Sequence, residues 1–282
     1  MIEKRPIASL IGHLMLIIGI IIVAFPIYYT FIASTMTSAE IIKPPISLLP
    51  GSHFTENYSE ALFGGVERAV GVSLERLLFN TFVVAILIAV GKILISFLSA
   101  FAVVFFRFPL RMVFFWMIFV TLMLPVEVRI LPTYKVIVDL GLIDTYAGLT
   151  LPLMASATAT FLFRQFFLTI PEELMEAARV DGAGAMKFFK DILLPLSRTN
   201  IAALFIILFI YGWNQYLWPM LITTDPGYYT AVMGIKRLAA VLDGNTQWNL
   251  VMAGVILAAL PPVLIIIVMQ RLFVKGLVET EK

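Results

Sequence analysis

The chain contains no cysteine. Disulfides are therefore excluded, as are thiolate metal sites and a cysteine nucleophile. Charge is also scarce: 13% of the 282 residues are Asp, Glu, Lys or Arg, against 61% hydrophobic residues. Soluble domains carry about 25% charged residues, so an ordinary water-soluble globule is excluded. The net charge of +2 is too small to mark a nucleic-acid surface. The two histidines, His13 and His53, lie too far apart in sequence to argue for a metal. No nucleophile with an adjacent base, no phosphate-cradling glycine loop and no cluster of metal ligands stands out. The chain is expected to carry no catalytic apparatus of its own.

What is present is apolar chain in long runs. A helix crossing a bilayer needs about 20 largely apolar residues. Six stretches qualify: 9–34, 77–106, 112–130, 146–163, 201–222 and 251–269. Backbone groups in lipid must be bonded within the chain, and no long period-two alternation suggests a barrel, so these stretches predict helices. The expected fold is an all-α polytopic membrane protein with six transmembrane helices. Pro6 to Ala39 contains no Asp, Glu, Lys or Arg. That is too long for the apolar core of a cleaved signal and reads as an uncleaved anchor.

Orientation follows from lysine and arginine in the loops. With the N-terminus in the cytoplasm, twelve fall inside, from Lys4 and Arg5 through Arg107, Arg111, Arg164, Arg179, Lys187, Lys190 and Arg198 to Arg271, Lys275 and Lys282. Seven fall outside, and Lys92 lies within a span. Both termini are therefore expected to be cytoplasmic. The largest outside segment, 35–76, holds prolines and patches of helical spacing and reads as a small ordered cap. The chain shows no internal repeat, which gives no support to an inverted-repeat carrier.

One cytoplasmic loop differs from the oil around it. "EELMEAARVDGAGAMKFFKDILLPL", Glu172 to Leu196, carries an alanine-rich helix signal. Thr169 and Glu172 have capping-box spacing, and Pro171 suits a first turn. Leu174, Ala177, Ala178 and Asp181 fall at helical spacing, Gly182 and Gly184 break the helix, and Pro195 is placed at the start of the fifth span. A face of small residues with a carboxylate suits entry into a protein groove; a plain amphipathic connector at the membrane surface is the alternative.

The spacing Glu176-Ala177-Ala178, three residues, Gly182, nine residues, Ile192, one residue, Leu194-Pro195 resembles the EAA motif of binding-protein-dependent ABC importer permeases. Asp181 and Ala183 complete its "DGA" form. "SAFAVVFFRFPLR", "YGWNQYLWPMLI" and "QRLFVKGLVETEK" resemble segments of the six-span sugar and polyol branch, although Glu279 and Glu281 replace the usual glycine-rich end. "FFWMIFVTLMLPVEVRILPT" and "LTLPLMASATATFLFRQFF" look most similar to permeases that import sn-glycerol 3-phosphate. The resemblance covers nearly the whole chain. It implies a type I ABC importer permease fold with an N-terminal helix and periplasmic segment at 1–76, a core at 77–272 and a cytoplasmic tail at 273–282. It implies a coupling helix at about 172–190, with Glu176, Ala177, Ala178, Asp181, Gly182 and Ala183 docking on an ATPase. The implied partners are a second homologous permease, a dimer of ABC ATPase subunits that use ATP and Mg, a periplasmic solute-binding protein and membrane lipid. No nucleic acid and no cofactor of the chain's own are implied. The implied location is a bacterial inner membrane, multi-pass.

Candidates for the solute path are fewer. Lys92 lies near the middle of a span, where a cation usually faces a cavity or a partner. Arg129, beside Glu127, is either an interfacial pair or a guanidinium fork for a phosphate at the outer mouth. Trp213, Asn214, Gln215 and Tyr216 cluster late in the fifth span. Trp218 reads as an interfacial belt residue, whereas Asn214 and Gln215 need partners that a polyol or a neighbouring helix would supply. "MASATAT", 154–160, reads as a close helix-packing face, and Pro261-Pro262 as a kink. Two other readings stay open: a carrier that works without an ATPase, and a membrane enzyme acting on lipid or polyol phosphates. Within the ABC class, a neutral sugar or polyol is the alternative solute.

Overall fold

The computed structural model describes residues 6–45, 47–121, 124, 126–240 and 246–278. In chain order the helices are α1 (Pro6–Ser34), α2 (Ser38–Ile42), α3 (Phe54–Phe63), α4 (Gly65–Val70), α5 (Leu74–Phe105), α6 (Arg111–Val120), α7 (Val126–Asp139) and α8 (Tyr146–Thr150). They continue as α9 (Ala157–Phe167), α10 (Glu172–Val180), α11 (Ala185–Phe188), α12 (Leu194–Leu196), α13 (Arg198–Trp213), α14 (Leu217–Ile222), α15 (Ala231–Ala239) and α16 (Trp248–Val278). No strand occurs among the described residues. Glu279 and Glu281 lie outside them, as does the side chain of Glu127.

Among the described residues, three helices are long and apolar enough to cross a bilayer unbroken: Leu10–Ser34, Leu74–Phe105 and Trp248–Gln270. Two bent helix pairs would each add a crossing if each is one broken span. Tyr146–Leu153 meets Ala157–Phe167 at 49°, and Ala185–Leu196 meets Arg198–Trp213 at 71°. The expected span at 112–130 is represented by the short α6 and the start of α7. Among the described residues, length and composition thus support three to five spans; the third of the six expected, 112–130, includes residues outside them. The uniform apolar runs of the sequence hid the breaks, which are set by turns and not by a change in hydropathy. The expected start of the fifth span at Pro195 is also corrected. Phe189–Leu193 forms a π-helical turn, Pro195 sits in α12, and the chain bends at Ser197 before α13 begins at Arg198. Both the hydroxyl of Ser197, at 2.7 Å, and its N–H, at 3.0 Å, donate to the Leu193 carbonyl at this bend. α16 runs as one helix through Pro261 and Pro262.

The chain divides into two compact units. The first comprises 1–75 and 234–260. Its cap is held by polar groups that the apolar composition makes easy to overlook. The Asn57 amide donates to the carbonyls of Ser34 and Met36, and the Asn249 amide donates to Asn57 Oδ1. Thr37 and Glu40 form a full capping box at α2. Most of α1 is exposed along its apolar length, which costs nothing against lipid tails.

The second unit comprises 76–233 and 261–282. Its core is aromatic: Phe97 meets Phe163, Phe167 and Phe189 edge-on at 5.0, 4.9 and 5.3 Å between ring centroids. Small residues let the helices close. A Cβ on Gly212 of α13 would stand 2.9 Å from the Cα of Ala85 on α5. The expected packing face at 154–160 is seen: Met154 fills the space above Gly91, and Ser96 donates to the Ser156 carbonyl at 3.1 Å.

Candidate functional site

The polar loop folds as a nine-residue helix, α10, followed by the short α11. The expected capping box is absent. The Thr169 hydroxyl instead donates to the Phe166 carbonyl at 2.7 Å, and Pro171 takes the N-cap place without a side-chain bond. The reason is local: Thr169 still belongs to the turn that closes α9, where its hydroxyl and its N–H both donate to the Phe166 carbonyl. Glu172 and Glu173 remain in the first turn, where the helix dipole favours them.

The end of α10 is a Schellman motif. Gly182 has φ +71°, its N–H donates to the Arg179 carbonyl, and the Ala183 N–H reaches back to the Ala178 carbonyl at 2.8 Å. Successive residues on α10 divide between two surfaces. Ala178 is buried, and Met175 and Ala183 pack partly against the aromatic core. Glu176, Ala177, Asp181 and Gly182 are exposed, and Val180 is 87% exposed. The motif therefore does two jobs: one side fastens α10 to the spans, and the other is presented outward. Ala178 belongs to the fastening side, away from the exposed face on which the spacing had put it with Ala177.

The second group of candidates gathers where α5 and α13 approach. Lys92 is 7% exposed, and its ammonium sits 3.6 Å from the centroid of the Tyr211 ring. Arg129, on α7, lies within electrostatic range of it. Neither cation forms an ion pair among the described residues. A buried ammonium must be compensated, and here the face of an aromatic ring does part of it. Tyr211 was not singled out in the sequence; the signal available was its place on the same helix just before the Trp-Asn segment.

α13 ends at Trp213, and Asn214, Gln215 and Tyr216 form the break before α14. The side-chain amides of Asn214 and Gln215 donate to the carbonyls of Ile210 and Tyr211, each at 3.0 Å. No hydrogen bond reaches their side-chain carbonyl oxygens among the described residues. Asn214 is exposed, and Gln215 and Tyr216 are half-buried. Trp213 is 3% exposed and stacks on Phe209 in the core. The interfacial reading of Trp218 is overturned: it is 5% exposed, and its indole N–H donates to the Gly148 carbonyl at 3.1 Å. Burial wins because its nitrogen finds a partner inside.

A further polar cluster escaped the sequence. The amide of the fully buried Asn80 donates to the carbonyls of Gly227 and Tyr229, and accepts from the Tyr146 hydroxyl at 2.6 Å. Asp144 holds the same loop through the N–H groups of Thr224 and Asp225 and the Thr224 hydroxyl. Its burial works against ionisation, but these three donors prevail and hold the carboxyl below the ordinary aspartate value.

Residues 83–279 match the family described as "Binding-protein-dependent transport system inner membrane component". The chain belongs to this family. As such an inner-membrane component it is a multi-pass membrane protein and one part of a larger transporter. The chain is 76% identical over 282 residues to "sn-glycerol-3-phosphate transport system permease protein UgpE" of Rhizobium meliloti (strain 1021), with both chains covered in full. Proteins of the same name are 74% identical in Brucella melitensis biotype 1 and 58% identical in Escherichia coli O1:K1 / APEC, again over the full length of both. Among solved structures, a bacterial ABC transporter involved in the import of the acidic polysaccharide alginate matches with a TM-score of 0.82 at 22% identity, over 95% of this chain and 97% of that one. That likeness establishes the shared type of permease fold.

Proposed function

We propose that this permease forms half of the membrane path of an ATP-driven importer for sn-glycerol 3-phosphate or related glycerophosphate esters. The observation that carries the reading is α10: an exposed helix with an EAA spacing, closed by Gly182 and anchored on its other side by Ala178 and Met175. A second homologous permease completes the path, a dimer of ATPase subunits takes up the exposed face of α10 in the cytoplasm, and a periplasmic binding protein delivers the solute. Mg and ATP act on the ATPase subunits. This chain contributes conformational coupling and a path, and no bond-making chemistry.

The charge of the solute follows from the path residues. An anion entering between apolar helices loses water, and without a fixed cation that loss is costly. Lys92 and Arg129 supply positive charge with no carboxylate paired to it among the described residues, and the amide oxygens of Asn214 and Gln215 suit polyol hydroxyls. A neutral sugar would need the amides and no cation. The experiment is co-purification of the tagged chain followed by uptake in vesicles. Wild type should bring down an ATPase and a second permease and take up labelled glycerol 3-phosphate. Lys92→Met should assemble equally well and lose roughly ten- to a hundredfold in uptake, the scale of one charge-assisted bond. Undiminished uptake in both Lys92→Met and Arg129→Gln would remove these cations from the path; failure to recover an ATPase would remove the importer reading.

A further inference from the structure

The unit that carries the EAA loop holds a second feature, separate from Lys92 and Arg129. The end of α5, the end of α9, and α10 with α11 enclose a cavity of about 660 Å³. Its lining is mixed in kind. Phe105, Phe167 and Phe188 are part of it. Arg107, Arg111 and Arg179 also line it, with Glu172 the one carboxylate among the lining residues. No ion pair joins Glu172 to any of the three among the described residues. Arg111 is steered by one bond, from Nη1 to the Phe106 carbonyl at 3.3 Å, which leaves the rest of its fork unused. Three arginines thus line one volume with a single carboxylate among the lining residues.

This combination selects its occupant. Guanidinium forks match the oxygens of a phosphate, and three of them around one site are repelled from one another unless an anion intervenes. The phenylalanines add apolar wall that a small inorganic anion has no use for. The position decides the source: α5 is an apolar span of 32 residues, and the cations follow directly on its last turn, at the level where headgroups begin. Basic pockets between spanning helices at that level suit anionic headgroups. The volume lies in the range of small-molecule sites, ample for a headgroup and the first methylenes of a chain.

We propose that this cavity binds an anionic phospholipid, its phosphodiester between Arg107, Arg111 and Arg179 and the start of an acyl chain against the phenylalanines. The lipid then bridges the end of α5 to the helix that carries the EAA motif, so the link between span and coupling helix is made partly of membrane. That the lipid comes from the cytoplasmic leaflet rests on the orientation adopted above; the binding itself does not.

The test uses the full chain in its assembled transporter, in nanodiscs of phosphatidylcholine with a fraction of phosphatidylglycerol. Retained lipid is counted by native mass spectrometry after release. Wild type should retain phosphatidylglycerol selectively. Arg107→Gln with Arg111→Gln should lower that retention by roughly tenfold or more, the scale of lost charge-assisted bonds. Arg68→Gln, in the cap, should leave it unchanged. Arg179→Gln alone, on the exposed helix, provides a second variant should the double variant fold poorly. Equal retention in the cavity variants and wild type overturns the proposal. So does a site that takes excess inorganic phosphate in pure phosphatidylcholine while showing no preference for phosphatidylglycerol. Retention is read on this chain whether or not an ATPase accompanies it, so loss of the ATPase counts against the importer reading alone.

Discussion

The ammonium of Lys92 rests on the Tyr211 ring, and that contact makes the two residues testable as a pair. A desolvated cation–π contact contributes about 2 kcal/mol. Tyr211→Leu should therefore lower the thermal stability of the purified permease and its uptake, whereas Tyr211→Phe, which keeps the ring, should retain both. Equal losses in the two variants would assign the effect to the hydroxyl. Asp144 provides a pH-dependent case on the loop that joins α7 to α8. Its carboxyl is held below the ordinary value of 3.8 by Thr224 and Asp225. A depressed carboxylate adds stability that is fully present above the unfolded value and disappears as pH falls through the lower folded one. Unfolding followed between neutral pH and about pH 3 should show an acid limb that Asp144→Asn flattens. An unchanged limb would mean that the loop is held without the carboxylate.

At the scale of elements, α10 depends on how it stops. Gly182 sits at φ +71°, a conformation that costs a residue with a Cβ about 1–2 kcal/mol. Gly182→Ala should loosen the last turn, seen as faster hydrogen exchange at Gly182 and Ala183, while Gly182→Asn should be milder because Asn tolerates that region. Protection unchanged by alanine would show that packing of Ala183 alone holds the turn. Replacing the exposed Glu176 with Lys tests the other side of the same helix. The permease should still fold, because Glu176 supports no described core contact, but the ATPase should bind weakly or act without driving transport. Normal transport with a retained ATPase would sink the docking role of that face.

For the whole molecule, the orientation is the property that connects every local reading. A reporter fused after Thr223, or within 35–76, should be read in the periplasm, and one after Lys282 in the cytoplasm. The opposite pattern would place α10 on the wrong side of the membrane for an ATPase. Two apolar helix pairs are bent, at 49° and 71°, and the candidate path residues Asn214, Gln215 and Tyr216 lie at a further break in the helix. Unwound backbone at membrane depth persists only where protein or water satisfies it, and here the N–H groups of Asn214 and Gln215 donate to the Ile210 and Gly212 carbonyls.

The sequence by itself determined the class of the molecule. Long apolar runs admit only helices in lipid, and the EAA spacing with Gly182 specified both a helix and its stop, because periodicity and a glycine at a positive φ are local properties. It also placed Lys92 in a span. Which partner Lys92 takes was not legible, since Lys92 and Tyr211 meet only when α5 and α13 close over Gly212 and Ala85. The same holds for Trp218: alone it reads as an anchor, and only the nearby Gly148 carbonyl makes burial favourable. The capping of α10 was misread because Thr169 had a nearer carbonyl at Phe166. The Asn80 cluster and the arginine-lined cavity were decided by tertiary structure for one physical reason. Each brings together groups far apart in the chain, and neither composition nor spacing records that distance.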